Sequence, residues 1–364
     1  MSLIYSDFNG EDNILYKLEN LYEKYGYVKL KTSKFEKYDF YINNKYFLRS
    51  SGMITFTDIN GDLLALKPDN TFSIAKSLRV GLDEIKKIYY YDDVYRFCSK
   101  TKLHEKVMQY GVECIGHLDL YNLCEMVGLA ADSLNNISSK SVLNISHLGV
   151  VLSLLRNCNI DEMKQLQLLK FIEEKNVKGI KAICSIMEIS DDVVAEVLSL
   201  ISAYGPLDIV IPKLKKQIKN ANALKYLDEL EYIVKVVQSK AKVKIIVDMS
   251  ITSGYMNYYD GIIFKGFIRD ISNSIVVGGQ YNNLMRYFDR NISAVGFAIY
   301  LDYMEKVNNV KHSVDIFILY NDSDDISEVY KKVHSLIDEG NSVLAGKNID
   351  KSLDIKQIIN FSEI

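Results

Sequence analysis

Two long segments of strand-like composition constrain the fold of this chain most strongly. They cover residues 87–97 and 106–115, and a polar link at residues 98–105 joins them. Upstream, Asn60-Gly61 separates two short apolar runs, which is the strongest short-range signal for a β-hairpin. Strands that follow one another through hairpins pair antiparallel. We therefore predict a largely antiparallel sheet with helices packed on it, which is an α+β fold.

Helical periodicity fills much of the remaining chain. Apolar residues recur at helical spacing over residues 12–25, and Gly26 follows at the position of a C-terminal cap. From Asp119 the pattern is mostly helical to about residue 201 and weakly helical to residue 240, with a strand at 142–145 and an extended break at 207–212. Later strands are predicted at 243–248, 255–267 and 274–277, and later helices at 281–287 and 294–307.

The end of the chain carries a separate β-α-β pattern. Its two strands and one helix are predicted at 314–319, 341–344 and 325–338. We therefore predict a core domain over residues 1–307, interrupted by a mainly helical insertion at about 148–240. A short C-terminal α/β segment at 313–364 follows the core.

Composition excludes several classes of protein. Hydrophobic residues make up 48% and charged residues 25% of the chain, which excludes a disordered, collagen-like or coiled-coil chain. The net charge of -3 gives no basic field, so binding to nucleic acid is not expected. Five cysteines without a CxxC pair predict free thiols in a reducing cytoplasm and no metal site. We also find no secretory signal, no membrane-spanning run and no phosphate or dinucleotide loop, so no cofactor is expected.

The second long strand has one polar face. Because side chains alternate along a strand, Gln109, Gly111 and Glu113 lie on the same side. One interpretation is a half-exposed strand whose polar face meets solvent. The other is a ligand pocket floored by an amide and a carboxylate, with room left by the glycine.

Other short segments are ambiguous when taken alone. Asp69 and Thr71 stand where a helix begins, so capping is the simplest interpretation. Adjacent tyrosines such as Tyr258 and Tyr259 are usually one core and one surface residue. The glycines that precede Tyr281 suit a tight turn.

Taken together and in order, these segments resemble the class II catalytic core of histidyl-tRNA synthetase. The resemblance covers roughly residues 10–135 and 240–307, and its most specific elements are Gln-x-Gly-Val-Glu and Gly-Gly-x-Tyr. It implies an antiparallel sheet of six or seven strands flanked by helices, and a homodimer. The segments that carry it are Leu66-Lys-Pro-Asp-Asn-Thr71, Val94-Tyr-Arg-Phe97, Gln109-Tyr-Gly-Val-Glu113, Tyr258-Tyr259-Asp-Gly, Gly278-Gly279-Gln-Tyr281 and Ala294-Val-Gly-Phe-Ala-Ile299.

The departures from the synthetase pattern fall on its ATP site. Arg96 matches the arginine that holds the α-phosphate, but Cys98 stands where the synthetase has the glutamate that reads adenine. Tyr303 replaces an arginine that binds the γ-phosphate, and no arginine is found near Gly254, where another is expected. A thiol cannot replace a carboxylate acceptor. We therefore predict that adenylate formation is lost.

The amino-acid half of the site is retained. The resemblance implies that Asp69 and Thr71 hold the α-amino group and that Gln109 contacts the amino-acid backbone. It also implies that Glu113 and Tyr259 recognise the imidazole. With Arg96, these residues and the pocket walls form the predicted histidine-like site; the walls are Tyr258 and Tyr281.

A chain that keeps a histidine-shaped pocket without ATP machinery resembles the synthetase paralogue that regulates ATP phosphoribosyltransferase. That family implies a non-catalytic, cytoplasmic subunit that works with a short catalytic subunit in the first step of histidine biosynthesis, with feedback by histidine. A homodimer within a hetero-oligomer is expected. Two alternatives stay open: an active synthetase, or a stand-alone histidine-binding paralogue with another partner. The C-terminal segment resembles a truncated anticodon-binding domain and is expected to be a packed vestige or an interface element.

Overall fold

The computed structural model describes residues 10–44, 47, 52–81, 83–98, 101–156, 158, 160–252, 258–300, 302, 313–349 and 353–363. The chain divides into two compact units, Met1–Met304 and Glu305–Ile364, which we describe separately. Within the described residues, no helix is long and apolar enough to cross a membrane.

A nine-stranded sheet organises the first unit, and a small three-stranded sheet accompanies it. The strands are β1 (Val28–Lys29), β2 (Phe35–Lys37), β3 (Thr55–Thr57), β4 (Leu63–Leu66), β5 (Ile85–Phe97), β6 (His104–Gly116), β7 (Ser141–His147), β8 (Tyr204–Gly205), β9 (Lys244–Asp248), β10 (Ile262–Ile268), β11 (Val276–Gln280) and β12 (Ser293–Tyr300). The strand order is β1-β5-β6-β12-β11-β10-β7-β9-β8 in the large sheet and β2-β4-β3 in the small one.

The two long predicted strands form the backbone of the large sheet. β5 and β6 pair antiparallel along their whole length, from Ile85 opposite Gly116 to Phe97 opposite His104. In the described part of this sheet, the parallel pairs are β1 with β5 and β7 with β9, and the other neighbours are antiparallel. The prediction of a largely antiparallel sheet is therefore confirmed.

The β-hairpin predicted at Asn60-Gly61 is also present in the structure. β3 and β4 form an antiparallel hairpin around it, and Gly61 has a φ of 85°, a left-handed conformation that glycine adopts without strain. The Asp58 carboxylate accepts hydrogen bonds from the backbone N–H groups of Asn60 and Asp62, at 2.9 and 2.8 Å, which closes the turn.

Helices cover the large sheet and fill most of the predicted insertion at about 148–240. They are α1 (Gly10–Lys24), α2 (Tyr38–Ile42), α3 (Asn70–Ser77), α4 (Leu120–Ile137), α5 (Leu148–Leu155), α6 (Glu162–Glu173), α7 (Val177–Ile186), α8 (Asp191–Ile201), α9 (Leu207–Gln217), α10 (Ala221–Gln238) and α11 (Asn282–Tyr287). α4 begins with a capping box in which the Asp119 carboxylate and the Asn122 side chain each accept from the other residue's backbone N–H. One continuous apolar core joins α1, α4 and the insertion helices to the sheet.

Two of the predicted elements are wrong. In the segment at 294–307, residues 294–300 are not helical: they belong to β12, a central strand between β6 and β11, and residues 301 and 303–307 lie outside the described residues. A strand buried on both faces has a continuous apolar run, and periodicity does not distinguish it from a buried helix. The extended break at 207–212 is instead the start of α9, which contains Pro212. Of the strand predicted at 255–267, residues 258–261 form a turn and the strand itself begins at Ile262; residues 253–257 lie outside the described residues.

The second unit contains one more strand than predicted. It consists of β13 (Ser313–Leu319), α12 (Ile326–Asp338), β14 (Val343–Gly346) and β15 (Asp354–Asn360). The strands form a parallel sheet in the order β14-β13-β15. Val329 and Leu336 of α12 pack against Ile316 and Ile318 of β13, which gives this unit a small core of its own.

Candidate functional site

Seven of the eight predicted site residues line one pocket on the large sheet. They come from the start of α3, from β6, from the turn before β10 and from the residue after β11. β12 closes the floor with Gly296, Phe297, Ala298 and Tyr300. We call this the tyrosine pocket; its predicted members are Asp69, Thr71, Gln109, Glu113, Tyr258, Tyr259 and Tyr281.

Glu113 is the centre of the pocket. Its Oε1 accepts a hydrogen bond of 2.6 Å from the Thr71 hydroxyl, and its Oε2 accepts one of 2.7 Å from the Tyr281 hydroxyl. The side chain is buried. Burial raises the pKa of Glu113 to about 8, because loss of solvent outweighs these two hydrogen bonds. The polar face of β6 is therefore a pocket floor and not a solvent face.

Two glycines help to shape the floor of the tyrosine pocket, and a neighbouring side chain packs directly against each of them. A Cβ at Gly296 would lie 1.7 Å from Oε2 of Glu113, its cross-strand partner. A Cβ at Gly111 would lie 2.0 Å from Cζ of Tyr90 on β5. The room that Gly111 leaves is thus occupied by the buried ring of Tyr90, which sequence reasoning did not place at the site.

Asp69 has two roles. Its Oδ1 accepts from the Phe72 backbone N–H at 2.8 Å, so the predicted cap of α3 is present. Its Oδ2 lies 3.2 Å from the Arg96 guanidinium. Burial raises the pKa of Asp69, and the Arg96 charge opposes that rise.

Arg96 is the predicted site residue that does not line the tyrosine pocket. Its Nε donates to the Pro68 carbonyl oxygen at 2.8 Å, and its guanidinium lies 5.9 Å from the centre of the Tyr300 ring. Together with the Asp69 contact, these interactions hold the Arg96 side chain against the protein. Its role here is to fix the segment that carries Asp69.

The same segment is anchored a second time at Lys67. This side chain is fully buried and pairs with Asp92 of β5 at 2.6 Å, and it also donates to the Thr32 hydroxyl. Burial lowers the pKa of Lys67, and the Asp92 carboxylate opposes that change. A buried pair of this kind is costly to break, because it leaves one charge without compensation.

Asn70 is a pocket neighbour that sequence reasoning missed. It is fully buried, and its Nδ2 donates to Oε1 of Gln109 at 3.0 Å. Its own Oδ1 has no hydrogen-bond partner within the described part of the chain. The contact occupies the Gln109 carbonyl and leaves the Gln109 amide N–H groups for a ligand. Its position between Asp69 and Thr71 was the available signal.

Tyrosine rings fill most of the space above this floor. Tyr258 packs edge-on against Tyr259 and Tyr281, with ring centres 4.9 and 5.8 Å apart. The free volume is about 20 Å³, enough for a single water molecule. An amino acid therefore enters this pocket only if the tyrosine side chains move.

Comparison with known proteins decides the family. The profile of the histidyl-tRNA synthetase family matches residues 3–304. The chain belongs to the histidyl-tRNA synthetase family. Among its curated relatives is the ATP phosphoribosyltransferase regulatory subunit of Oceanobacillus iheyensis, which is 28% identical over 301 residues, or 81% of this chain and 73% of the relative.

Solved structures agree with this family fold. An ATP phosphoribosyltransferase regulatory subunit/histidyl-tRNA synthetase from Bacillus halodurans superposes with a TM-score of 0.72 at 23% identity, covering 96% of this chain and 93% of the other. An ATP phosphoribosyl transferase (HisG:HisZ) complex from Thermotoga maritima gives a TM-score of 0.61 at 20% identity, with coverages of 81% and 98%. Both similarities confirm the class II synthetase-like fold.

The pKa of Glu113 makes stability depend on pH in this family member. Between the ordinary value of 4.5 and about 8, the folded chain keeps a proton that the unfolded chain has lost. Stability from this group is therefore fully present below pH 4.5 and falls as pH rises toward 8, by at most about 1.4 kcal/mol per pH unit. We expect Glu113→Gln to flatten this fall in urea denaturation at pH 5, 6, 7 and 8. An unchanged slope would show that Glu113 is ionised in the folded protein at neutral pH.

Proposed function

We propose that this chain is the regulatory subunit of an ATP phosphoribosyltransferase. It acts in the cytoplasm with a short catalytic subunit in the first step of histidine biosynthesis, as a homodimer within a hetero-oligomer, and it transmits feedback by histidine. The chain itself carries out no adenylation. The proposal rests on the contrast between the two halves of the site. The residues that match amino-acid recognition line one pocket. Of the residues that match the ATP site, Cys98 and Tyr303 are substitutions, and Arg96 is bound to Pro68 and Asp69.

The amino-acid half offers a complete set of polar partners. Asp69 supplies a carboxylate for an ammonium group, and Gln109 supplies amide N–H groups for a carboxylate. Glu113 supplies a buried group that can exchange hydrogen bonds with an imidazole. Tyr258, Tyr259 and Tyr281 supply flat apolar walls of suitable size.

The names of relatives support the same function. The Oceanobacillus iheyensis relative is a regulatory subunit by name, and a second regulatory subunit from Caldanaerobacter subterraneus is 28% identical over 80% of this chain. The Thermotoga maritima structure is a complex of two kinds of subunit. An active histidyl-tRNA synthetase is the alternative that family membership leaves open, and the exchange assay described in the Discussion separates the two.

The test uses the complex and one variant pair. We expect the chain to co-purify with a short ATP phosphoribosyltransferase subunit, to be required for its full activity, and to make that activity sensitive to histidine. Glu113→Gln should raise the half-inhibiting histidine concentration about tenfold or more, because a bound imidazolium holds Glu113 as a carboxylate and an amide cannot replace that charge-assisted hydrogen bond, worth about 1.5–3 kcal/mol. Glu174→Gln, at an exposed site, is the matched control.

Two results would contradict the proposal in different ways. A catalytic subunit that is fully active alone and forms no complex would exclude the regulatory role. A complex that is inhibited by histidine equally in both variants would keep the role but move the histidine site away from the tyrosine pocket.

A further inference from the structure

A second, larger cavity lies where the helical insertion meets the end of the sheet. Its volume is about 600 Å³, within the range of small-molecule sites. Its walls come from α5, α6, α10 and α11, from His147 at the end of β7, and from the segments around Asp260 and Gln280. We call it the insertion cavity.

The insertion cavity and the tyrosine pocket share no lining residue, yet they share two chain segments. Tyr259 lines the tyrosine pocket, and Asp260, the next residue, lines the insertion cavity. In the same way, Gln280 lines the insertion cavity and Tyr281 lines the tyrosine pocket. Adjacent residues thus line two different pockets, so the insertion cavity is a separate site and not an extension of the tyrosine pocket.

The carboxylates of the insertion cavity are already hydrogen-bonded within its lining. Asp260 accepts from the backbone N–H groups of Asn282 and Asn283, at 3.0 and 2.8 Å, and from Arg286 at 3.1 Å. Glu229 is 3.2 Å from Nε2 of His147. Because Nδ1 of His147 accepts from the Gly149 N–H at 3.1 Å, Nε2 carries the proton and donates to Glu229.

One cationic side chain of the lining is exposed and unpaired within the described part of the chain. Arg156 lines the cavity and has no hydrogen-bond or ion-pair partner among the described residues. The side-chain amides of Gln165 and Gln280 likewise make no hydrogen bond to described residues. Besides the hydrogen-bonded carboxylates, the lining therefore includes one unpaired guanidinium and two carboxamides. A guanidinium matches the geometry of carboxylate and phosphate oxygens.

An aromatic wall faces the same space. The rings of His147 and Tyr226 pack together with centres 4.7 Å apart and planes inclined by 30°. We propose that the insertion cavity binds a small organic anion, a phosphate monoester or a carboxylate, whose charged group is held by Arg156. The carboxamides of Gln165 and Gln280 bind its polar substituents, and the Tyr226 ring packs against its body.

Titration calorimetry at low ionic strength tests this with two probes, ribose 5-phosphate and citrate, on the full chain. We expect at least one probe to bind, and the better probe identifies the anionic group. Arg156→Met should weaken that binding at least tenfold, and Gln165→Leu at least threefold. The matched control is Arg269→Met, an exposed arginine outside the cavity, which should bind like the wild type. Thermal melts check that each variant is folded.

Two outcomes would overturn the proposal. One is that neither probe binds to the wild type. The other is that a probe binds but is weakened equally by Arg156→Met and Arg269→Met, because that would show attraction to general positive charge and not to this cavity.

Discussion

We expect that the purified chain does not catalyse the histidine-dependent exchange of pyrophosphate into ATP. Adenylate formation requires fixed cations around the triphosphate and a carboxylate that reads adenine. Cys98 stands in place of that carboxylate, and the sequence places Tyr303 where an arginine is expected. A single arginine of this kind contributes several orders of magnitude in rate.

The structure adds a second reason for this result. Arg96, which the resemblance to the synthetase places at the α-phosphate, is bound to the Pro68 carbonyl and the Asp69 carboxylate. A phosphate that drew the Arg96 guanidinium away from Asp69 would leave that carboxylate buried without its counter-charge, which is costly. The loss of adenylation therefore does not depend on one substitution alone.

The measurement is the exchange of labelled pyrophosphate into ATP with and without histidine, at high protein concentration. An active histidyl-tRNA synthetase assayed in parallel shows that the conditions support exchange. Exchange by this chain at a comparable rate would contradict the prediction and favour the synthetase alternative.

Gly296→Ala should destabilise the fold by about 3 kcal/mol or more. The new Cβ would lie 1.7 Å from Oε2 of Glu113 and 2.6 Å from the backbone carbonyl oxygen of Val112. The first contact could be relieved by moving a side chain, but the second involves the adjacent central strand. Overpacking at a rigid position costs about 1–3 kcal/mol and occasionally more.

Gly128→Ala is the matched control, because it makes the same chemical change in a different setting. Gly128 lies within α4, and a Cβ there would have no neighbour within 4 Å. Alanine is favoured over glycine in a helix by about 1 kcal/mol, so this variant should be slightly more stable than the wild type. Urea denaturation measures both changes. A Gly296→Ala variant as stable as the wild type would show that β6 and β12 can separate at this point.

Local patterns predicted the parts of the fold that local chemistry determines. The strand-like composition of residues 87–97 and 106–115, with the polar link between them, predicted β5 and β6. Asn60-Gly61 predicted the small hairpin. Each of these signals is contained in a short stretch of sequence. β12 was mistaken for a helix because its residues are apolar on both faces and carry no period. β15 was missed at the end of the chain.

The candidate site was predictable for a different reason. Gln109 and Glu113 share a face by strand alternation, but their proximity to Thr71, Tyr259 and Tyr281 followed only from resemblance to a known family. The contacts of Arg96 and the position of Tyr90 above Gly111 depend on how distant segments pack. The insertion cavity could not be predicted from the sequence either, because its walls come from segments far apart in the chain.

The small free volume among the tyrosines has a kinetic consequence. The proposed histidine site has room for one water, so it must open before histidine enters, and the apparent affinity is reduced according to the fraction of molecules that are open. Binding that waits for opening has an observed rate that stops rising at high ligand concentration. For a regulatory subunit, the time needed to sense histidine would then be determined by the motion of Tyr258, Tyr259 and Tyr281 and not by diffusion.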